Sequence, residues 1–529
     1  MRRPIWLFVL LAASLACSTL FPGTAVRPTQ TPKVSETLGV SATPRVSDTP
    51  GVSPTSVSAP TQTPGVSETP GVSTPPPTQT PRVSQTPGVL TTTPGTPSKG
   101  QPGTAVVSAA RTCDFMPGVS VAAQMPAYLR TEATPTPEPL PAPPTSTPVD
   151  AATNTRHLQV FNQLMSTIQQ EYVYTGFVKS QLPALQAEYK KVVTAGLDDN
   201  GFYGAMSDLI TDLGDNHSSF ESPDEAKAAD AGFAGNNDFV GIGVFVQAVP
   251  EAGRAVILVV FPGGPAAQGG LRIHDSIVAI DGQPVLDAGG GIRDAIRGPA
   301  GSKMALTIER PGQPQFMLTL TRQRVTGALP VDACLIPSKR IGYLYLPGLD
   351  DETIPDQVRA ALRAMTADGP LAGLVIDNRE NGGGLSTVLD SLLSLFTHGD
   401  LGRFVARDES RELQVNAEDV GGSQSVPLLV LISRDTVSYG EVFSGLLQVS
   451  GRAKVMGQTS LGNVETEWAY TFKDGSRVWL AHELFQPPGL PLAVWEGRGI
   501  IPDLPLPVRW DLFSEGSDPA LAAAVELFK

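Results

Sequence analysis

The chain has 529 residues, a formal net charge of −14, 53 glycines and 49 prolines. This length exceeds that of one ordinary domain, and the proline content indicates folded domains joined to a low-complexity segment. The acidic balance argues against nucleic acid as a partner, because little positive charge is available to neutralise a phosphate backbone.

The first residues, MRRPIWLFVLLAASLACSTLFPG, have the form of a secretory signal peptide. A short apolar core from Ile5 to Leu15 follows two arginines and is too short to span a membrane comfortably. The sequence before Cys17 resembles a lipoprotein cleavage site, although Ser14 stands where such sites favour an aliphatic residue. We predict a signal peptide at residues 1–21 and an extracytoplasmic protein. Lipid attachment at Cys17, plain secretion and retention as a signal anchor stay open.

Residues 22–152 are predicted to form a disordered tether, because these Pro, Thr, Ser and Val repeats have too little apolar bulk to bury. Cys113 lies in this segment and Cys334 lies far beyond it. An extracytoplasmic location permits a disulfide between them, but we interpret them as two unrelated thiols. The sequence contains no paired-cysteine motif and no histidine pair on a helix, so no metal or cofactor is expected.

Two smaller domains are predicted next. Residues 153–230 have apolar residues at helical spacing and predict a small helical subdomain. Residues 236–325 contain short β-branched runs separated by Gly-rich turns. The motif GIGV and the stretch GGLRIHDSIVAIDGQPV resemble a PDZ domain, which binds an extended peptide C-terminus by strand addition.

The resemblance to a PDZ domain implies a carboxylate-binding loop formed by Gly241, Ile242, Gly243 and Val244. The alternative is a small β-barrel with only a packing role. His274 stands where relatives usually have Gly, and we interpret it as a tolerated surface change.

Residues 330–529 are predicted to form the last domain, in which strands and helices alternate as in an α/β layer. Characteristic stretches follow one another along the chain: LGDNHSSF, the PDZ-like segment, IDNRENGGGL, SYGE, GQTSLGN and WEGRGIIPD. This ordered set resembles the C-terminal processing (tail-specific) serine peptidases and the related tricorn core protease. The resemblance implies an α/β (α+β) protein with a crotonase-like spiral of β-β-α units, an inserted PDZ domain and a catalytic pattern closer to the tricorn branch.

Tail-specific peptidases carry a Ser-Ala-Ser-Glu pattern in which the serine before the Ala is the nucleophile, and a later lysine is the general base. Ser438 and Glu441 match the serine and the glutamate, but the position of the lysine falls at Asn463. An amide is not basic, whereas a buried lysine can act as a base because desolvation depresses its pKa. The Ser–Lys mechanism is therefore expected to be absent.

Histidine is the natural substitute for the missing base, because its ordinary pKa suits proton transfer near neutrality. His217, in LGDNHSSF, resembles the base histidine of tricorn, and Glu496, in WEGRGIIPD, resembles its acidic residue. The resemblance thus implies a Ser438–His217–Glu496 triad. A structural role for His217, a packing role for Glu496 and His482 as the base are the alternatives.

Two backbone groups are predicted to form the oxyanion hole. The N–H of Tyr439 lies at a predicted helix N-terminus, and Gly383 matches the oxyanion glycine of the family. A Gly-rich stretch can also be only a tight turn.

The predicted function is an extracytoplasmic serine endopeptidase that acts on peptides or unfolded proteins, with a PDZ domain that recognises C-termini. Membrane attachment would come only through the N-terminal anchor. The main alternative is an inactive, PDZ-bearing peptide-binding protein on a peptidase scaffold. Another lytic or acyl-transfer role for the scaffold also stays open.

Overall fold

The computed structural model describes residues 111–113, 149–233, 239–325, 330–336 and 338–528. The predicted signal peptide with Cys17, and most of the predicted tether, lie outside these described residues. Within them the chain is a mixed α/β protein, as predicted from the sequence. No helix in these ranges combines the length and the apolar character needed to cross a membrane.

The first folded part is a helical subdomain. Its helices are α1 (Ala151–Glu171), α2 (Thr175–Ser180), α3 (Leu182–Ala195), α4 (Asp199–Thr211) and α5 (Pro223–Phe233), with strand β1 (Ser219–Glu221) between the last two. Helix α1 begins at Ala151 because the Asp150 carboxylate accepts hydrogen bonds from the N–H groups of Ala152 and Thr153, at 2.9 and 3.0 Å. Phe161 and Phe202 lie in the buried core of this subdomain.

The second part is a β-rich domain. It contains β2 (Phe239–Gly241), β3 (Val244–Val249), β4 (Arg254–Val260), helix α6 (Pro265–Gln268), β5 (Ser276–Ile280), β6 (Gln283–Pro284), β7 (Lys303–Glu309), β8 (Phe316–Thr321) and β9 (Gln323–Val325). The main sheet has the order β3-β4-β5-β7-β8, so β3 forms one edge of this sheet. The GIGV motif links β2 to β3, and Gly243 makes the turn with a φ of +75°. The predicted carboxylate-binding loop therefore leads directly into an edge strand, the arrangement that peptide recognition by strand addition requires.

The third part is the C-terminal domain. Its strands are β10 (Asp332–Ile336), β11 (Ile341–Tyr345), β12 (Gly373–Asp377), β13 (Gly399–Val405), β14 (Ser410–Val415), β15 (Leu428–Ile432), β16 (Ala453–Gly457), β17 (Thr466–Thr471), β18 (Arg477–Gln486) and β19 (Leu504–Pro505). Its helices are α7 (Ile354–Thr366), α8 (Ser386–Phe396), α9 (Tyr439–Val449), α10 (Trp510–Phe513) and α11 (Pro519–Leu527).

One sheet of this domain has the order β10-β11-β12-β15-β16-β19, and every neighbouring pair after β10–β11 is parallel. Strands β12 and β15 are buried along their whole length, as expected for the continuous apolar runs GLVID and LLVLI in a covered parallel sheet. Because these strands are parallel, the loops that follow β12, β15 and β16 leave the sheet at the same edge.

A second sheet connects the helical subdomain to the C-terminal domain. Its order is β1-β18-β13-β14, and β17 also pairs with β18. Strand β1 pairs antiparallel with the start of β18, where Ser219 lies opposite Trp479 and Glu221 opposite Arg477. Since β1 begins just after His217, this pairing carries the histidine loop to the C-terminal domain.

The structure corrects the interpretation of the two cysteines. Cys113 and Cys334 form a disulfide with their Cα atoms 5.0 Å apart. The neighbouring residue Thr112 makes a parallel β-bridge with Leu335 of β10. The interpretation as unrelated thiols is wrong because this long-range pairing, which has no local sequence signal, brings them together.

His274 also differs from its interpretation as a surface change. Its ring is half-buried and stacks on Phe513, with ring centroids 4.0 Å apart. Its Nδ1 lies 2.8 Å from the carbonyl oxygen of Phe513. Its φ of +73° explains why glycine suits this position. His274 therefore fastens the β-rich domain to helix α10.

Candidate active site

Ser438 lies at the sharp bend between strand β15 and helix α9. Its φ of 55° and ψ of −127° are rarely adopted by residues other than glycine. Its side chain is partly exposed, whereas Val437 and Tyr439 on either side are buried. A strained strand-to-helix bend that presents a hydroxyl group is typical of a serine nucleophile.

Glu441 anchors this bend from inside the protein. Its buried carboxylate accepts hydrogen bonds from Ser460 Oγ at 2.5 Å and from the N–H groups of Gly462, Asn463 and Ser438 at 2.7, 2.9 and 3.1 Å. Burial raises the pKa of Glu441 to about 7, although these donors favour its charged form. The glutamate of the serine motif thus joins the bend to the loop after β16.

Gly383 lies directly against Ser438. A Cβ on this residue would stand 2.7 Å from Ser438 Cβ, 3.0 Å from Ser438 Oγ and 3.0 Å from the backbone nitrogen of Tyr439. Tyr439 is the first residue of α9, where N–H groups have no partner within the helix. The two predicted oxyanion residues are therefore adjacent. In this conformation the N–H of Gly383 donates to Asn381 Oδ1 at 2.9 Å.

Asn463, at the position of the family lysine, is a bridge between two segments. Its backbone carbonyl accepts a hydrogen bond from the N–H of Ser438 at 2.9 Å. Its side-chain amide donates to the carbonyl oxygen of Asn216, also at 2.9 Å. Asn463 thereby connects Asn216, the residue before His217, to the backbone of Ser438.

The His217 loop is fixed by a short network of hydrogen bonds. Asp215 Oδ1 accepts from the N–H groups of His217 and Ser218, at 3.0 and 2.8 Å. Ser218 Oγ donates to Asp215 Oδ2 at 2.6 Å and accepts from the N–H of Ala481 at 3.0 Å. The loop therefore has a defined position on strand β18.

Two carboxylates flank the imidazole ring of His217. Glu465 Oε2 lies 3.6 Å from Nδ1, and Glu467 Oε2 lies 3.5 Å from Nε2. These separations are ion-pair distances, longer than ordinary hydrogen bonds. Burial lowers the pKa of His217, but the attraction of Glu467 and Glu465 outweighs it and raises the pKa to about 10. His217 is therefore an imidazolium ion at neutral pH in this conformation.

Glu496 lies behind Glu465. Its Oε2 accepts a hydrogen bond from the N–H of Val464 at 2.7 Å. Burial, and a hydrogen bond shared with Glu465, raise the pKa of Glu496. Burial opposes ionisation of Glu465, but the nearby His217 ring and hydrogen bonds from Glu496 and Tyr174 lower its pKa. These shifts favour a proton on Glu496 rather than on Glu465, and the carboxylate that faces Nδ1 is Glu465.

His482 has different neighbours. Its Nδ1 lies 3.0 Å from the hydroxyl of Tyr470, and its ring stacks on Trp468 with centroids 4.1 Å apart. Its Nδ1 also lies 3.7 Å from a carboxylate oxygen of Glu171. These contacts place His482 on the opposite face of β17 from Glu467, since neighbouring residues of a strand alternate.

Sequence reasoning overlooked Glu465, Glu467 and Tyr174. Tyr174 donates its hydroxyl to Glu465 Oε1 at 2.5 Å. The signal for the two glutamates was present in the segment NVETEW, where two carboxylates separated by one residue directly follow the position of the family lysine.

Comparisons with known proteins agree with this architecture. Residues 340–506 match Peptidase family S41, and residues 256–310 match the PDZ domain. The chain is 30% identical over 305 residues to the chloroplastic C-terminal processing peptidase of Tetradesmus obliquus, an alignment that covers 54% of this chain and 64% of that protein. It is 27% identical over 284 residues to the carboxy-terminal processing protease CtpB of Bacillus subtilis, over 52% of this chain and 57% of that protein.

The chain thus spans less than two thirds of the length of these relatives. An S41 protease structure from Bacteroides fragilis superposes with a TM-score of 0.50 at 15% identity, covering 69% of this chain and 96% of that chain. This likeness shows the fold. The predicted resemblance to C-terminal processing peptidases with a PDZ domain is confirmed, and the closer likeness to the tricorn branch stays a prediction.

Proposed function

Because residues 340–506 form a domain of peptidase family S41 and residues 256–310 match a PDZ domain, we propose that this protein is an extracytoplasmic serine endopeptidase. Its substrates are peptides or unfolded proteins whose C-termini bind to the loop of Gly241, Ile242, Gly243 and Val244 at the start of β3. The Cys113–Cys334 disulfide supports an oxidising compartment. Membrane attachment would depend on the N-terminal segment with Cys17.

The bridge through Asn463 is the observation that carries the proposal. It connects Asn216 to the backbone of Ser438 by two hydrogen bonds of 2.9 Å. The loop that carries His217 and its carboxylate neighbours is therefore tied to the strained serine, although the family lysine is missing. This arrangement supports a Ser–His mechanism with Ser438 as nucleophile and His217 as base.

In the proposed reaction, neutral His217 takes the proton of Ser438 as Oγ attacks the scissile carbonyl carbon. The resulting imidazolium gives this proton to the leaving amine, and an acyl-enzyme forms. Water then attacks the ester carbon while His217 accepts a proton from the water, and the proton returns to Ser438 as the acid product leaves. Glu465 orients the ring through Nδ1, and Glu496 supports Glu465.

The developing oxyanion is stabilised by the N–H of Tyr439 and by that of Gly383 after its release from Asn381. Removal of one such donor reduces turnover by roughly 100- to 1,000-fold in other serine enzymes. A Cβ built on Gly383 would lie 3.0 Å from both Ser438 Oγ and the nitrogen of Tyr439, which supports the proposal that the two residues border one oxyanion site.

The test is covalent labelling of the full-length protein with a fluorophosphonate probe, together with cleavage of an unfolded protein. Ser438→Ala and His217→Ala are expected to abolish both activities. Ser450→Ala, at the other end of helix α9, is the matched control and is expected to retain them. Equal labelling of wild type and Ser438→Ala would refute the proposed nucleophile.

A peptide-binding protein without peptidase activity is the second candidate. Two observations favour it, since both ring nitrogens of His217 face carboxylates and the N–H of Gly383 is bound to Asn381. This candidate predicts no cleavage and no labelling between pH 5 and pH 10, together with binding of a peptide that has a free C-terminus. The same peptide with an amidated C-terminus is the control for the loop at Gly241–Val244.

A further inference from the structure

We propose that Glu467 is a positioning residue that holds Nε2 of His217 in the resting state, and that release of this contact activates the base. The inference rests on the proposed Ser–His mechanism, because it concerns the base of that mechanism. It adds a second carboxylate with a role opposite to that of Glu465. Glu465 orients the ring of His217 for catalysis, whereas Glu467 keeps Nε2 of this ring from accepting the proton of Ser438.

In the proposed mechanism, Ser438 and Glu467 compete for one nitrogen atom, Nε2 of His217. A histidine base needs one nitrogen held by an acceptor and the other free to accept the proton of the serine. In the structure the first requirement is met at Nδ1 by Glu465, 3.6 Å away. At Nε2, however, the neighbour is Glu467 at 3.5 Å. A charged Glu467 favours a proton on Nε2, and a protonated nitrogen cannot act as a base.

The two carboxylates differ in their burial and in the hydrogen bonds that hold them in place. Glu465 has a side chain with 0% exposure, and its Oε1 accepts a hydrogen bond from Tyr174. Glu467 retains 19% exposure. Its Oε1 is buried without a hydrogen-bond partner among the described residues. Glu467 can therefore leave the ring at little cost in hydrogen bonds, whereas Glu465 cannot.

The backbone explains why both glutamates reach the same ring. Strand β17 pairs with β18, and the register of this pairing shifts between Thr466 and Glu467. Irregularities of this kind re-aim a side chain and are common next to active sites. Because β17 pairs only with β18 among the described strands, its other edge remains available for movement or for a bound peptide.

The charge around His217 comes from several elements. Asp215 faces it from its own loop, Glu467 from strand β17, Glu465 from the residue before that strand, and Glu496 from the loop before β19. Attraction to Glu467, Glu465 and Asp215 raises the pKa of His217. Burial raises the pKa of Glu467 itself to about 7, although His217 opposes this shift.

The first experiment measures the protonation of His217 without reference to activity. The full-length protein is labelled with ¹³C at histidine Cε1, and the signal of His217 among five histidines is assigned by its loss in His217→Asn. We expect an imidazolium signal at pH 8 in wild type. Glu467→Gln is expected to lower the titration midpoint by more than one pH unit, and Glu467→Asp by less.

Glu412→Gln, on the exposed part of β14, is the control and should leave the midpoint unchanged. Neutral His217 at pH 8 in wild type would overturn the proposal, even if Glu467→Gln failed to fold. An unchanged midpoint in folded Glu467→Gln would overturn it as well.

The second experiment measures the fluorophosphonate labelling rate of the same proteins between pH 6 and pH 10. Wild type is expected to label faster as the pH rises, because His217 loses its proton only in alkaline solution. Glu467→Gln is expected to label at least tenfold faster than wild type at pH 7. Equal rates at pH 7 would overturn the role of Glu467 in withholding the base.

Failure of the proposed function has a different signature. If no variant labels at any pH while Glu467→Gln still lowers the midpoint of His217, the Ser–His mechanism is refuted and the contact of Glu467 with His217 is supported. If wild type labels while the midpoint does not move, the mechanism stands and the inference about Glu467 falls.

Discussion

Replacement of Gly383 by alanine is the sharpest test of how the nucleophile is positioned. The added Cβ would stand 2.7 Å from Ser438 Cβ, closer than real Cβ contacts allow, and 3.0 Å from its Oγ, which is an unusually tight contact. Neither atom can move freely, because Ser438 is fixed by hydrogen bonds from its N–H to Asn463 and Glu441. The substitution also places an L-residue at a φ of +93°.

The expected destabilisation has two parts. Positive φ costs a residue other than glycine about 1–2 kcal/mol. Insertion of a methyl group into a filled space adds about 1–3 kcal/mol. The free energy of unfolding should therefore fall by about 2–5 kcal/mol in Gly383→Ala. Gly451→Ala is the matched control, because Gly451 has a φ of +68° but no atom within 4 Å of an added Cβ. Gly451→Ala should therefore lose only the part of about 1–2 kcal/mol that comes from the positive φ.

Urea denaturation measures both losses, and fluorophosphonate labelling measures the effect on Ser438. We expect Gly383→Ala to label at least tenfold more slowly than wild type (about 1.4 kcal/mol) and Gly451→Ala to label at the wild-type rate. If the two variants were equally stable and equally reactive, the contact between Gly383 and the nucleophile would be refuted.

Three further predictions concern the supports of the site. Asn463→Asp removes the hydrogen-bond donor to Asn216 and should lower the free energy of unfolding, measured by urea denaturation, by about 1–3 kcal/mol. A variant as stable as wild type would contradict the bridge between Asn216 and Ser438. Replacement of Cys113 and Cys334 by serine should lower the free energy of unfolding by about 2–4 kcal/mol and abolish any effect of dithiothreitol on the melting temperature. A wild-type protein whose melting temperature is insensitive to dithiothreitol would contradict the disulfide. Tyr174→Phe should cost about 1.5–3 kcal/mol, because its hydroxyl donates to a buried carboxylate. The control Tyr203→Phe removes a hydroxyl from a less buried site and should cost less; equal losses would contradict this reasoning.

The sequence predicted that Ser438, Glu441 and Gly383 would lie together, because this side of the site is built from local signals. Ser438 and Glu441 belong to one helix N-terminus, and a buried strand followed by glycines places Gly383 at the same sheet edge. The parallel order of β12 and β15 then brings these segments together. Binary pattern and turn chemistry suffice for such predictions.

The base side depends on contacts between distant parts of the chain. His217 reaches the site because β1 pairs with β18, more than two hundred residues later in the sequence. The register shift in β17 then decides which carboxylates face the ring. The segment NVETEW shows two nearby carboxylates, but it does not show that they face His217, which depends on the long-range pairing and its register. The sequence therefore pointed to Glu496 and not to Glu465 or Glu467. The pairing of Cys113 with Cys334 was missed for the same reason.

Electrostatics connects the neutral side chain of Asn463 with the two carboxylates that follow it, Glu465 and Glu467. A lysine at position 463 would place a second cation near the His217 loop, which already carries an imidazolium ion in this conformation. Like charges in a buried site destabilise each other. With Asn463 the position keeps a hydrogen-bond donor for Asn216 and adds no charge. Glu465 and Glu467 then stabilise a single cation, His217, which explains why its pKa is raised. Under the proposed mechanism, His217 would have to lose this proton before Ser438 could react.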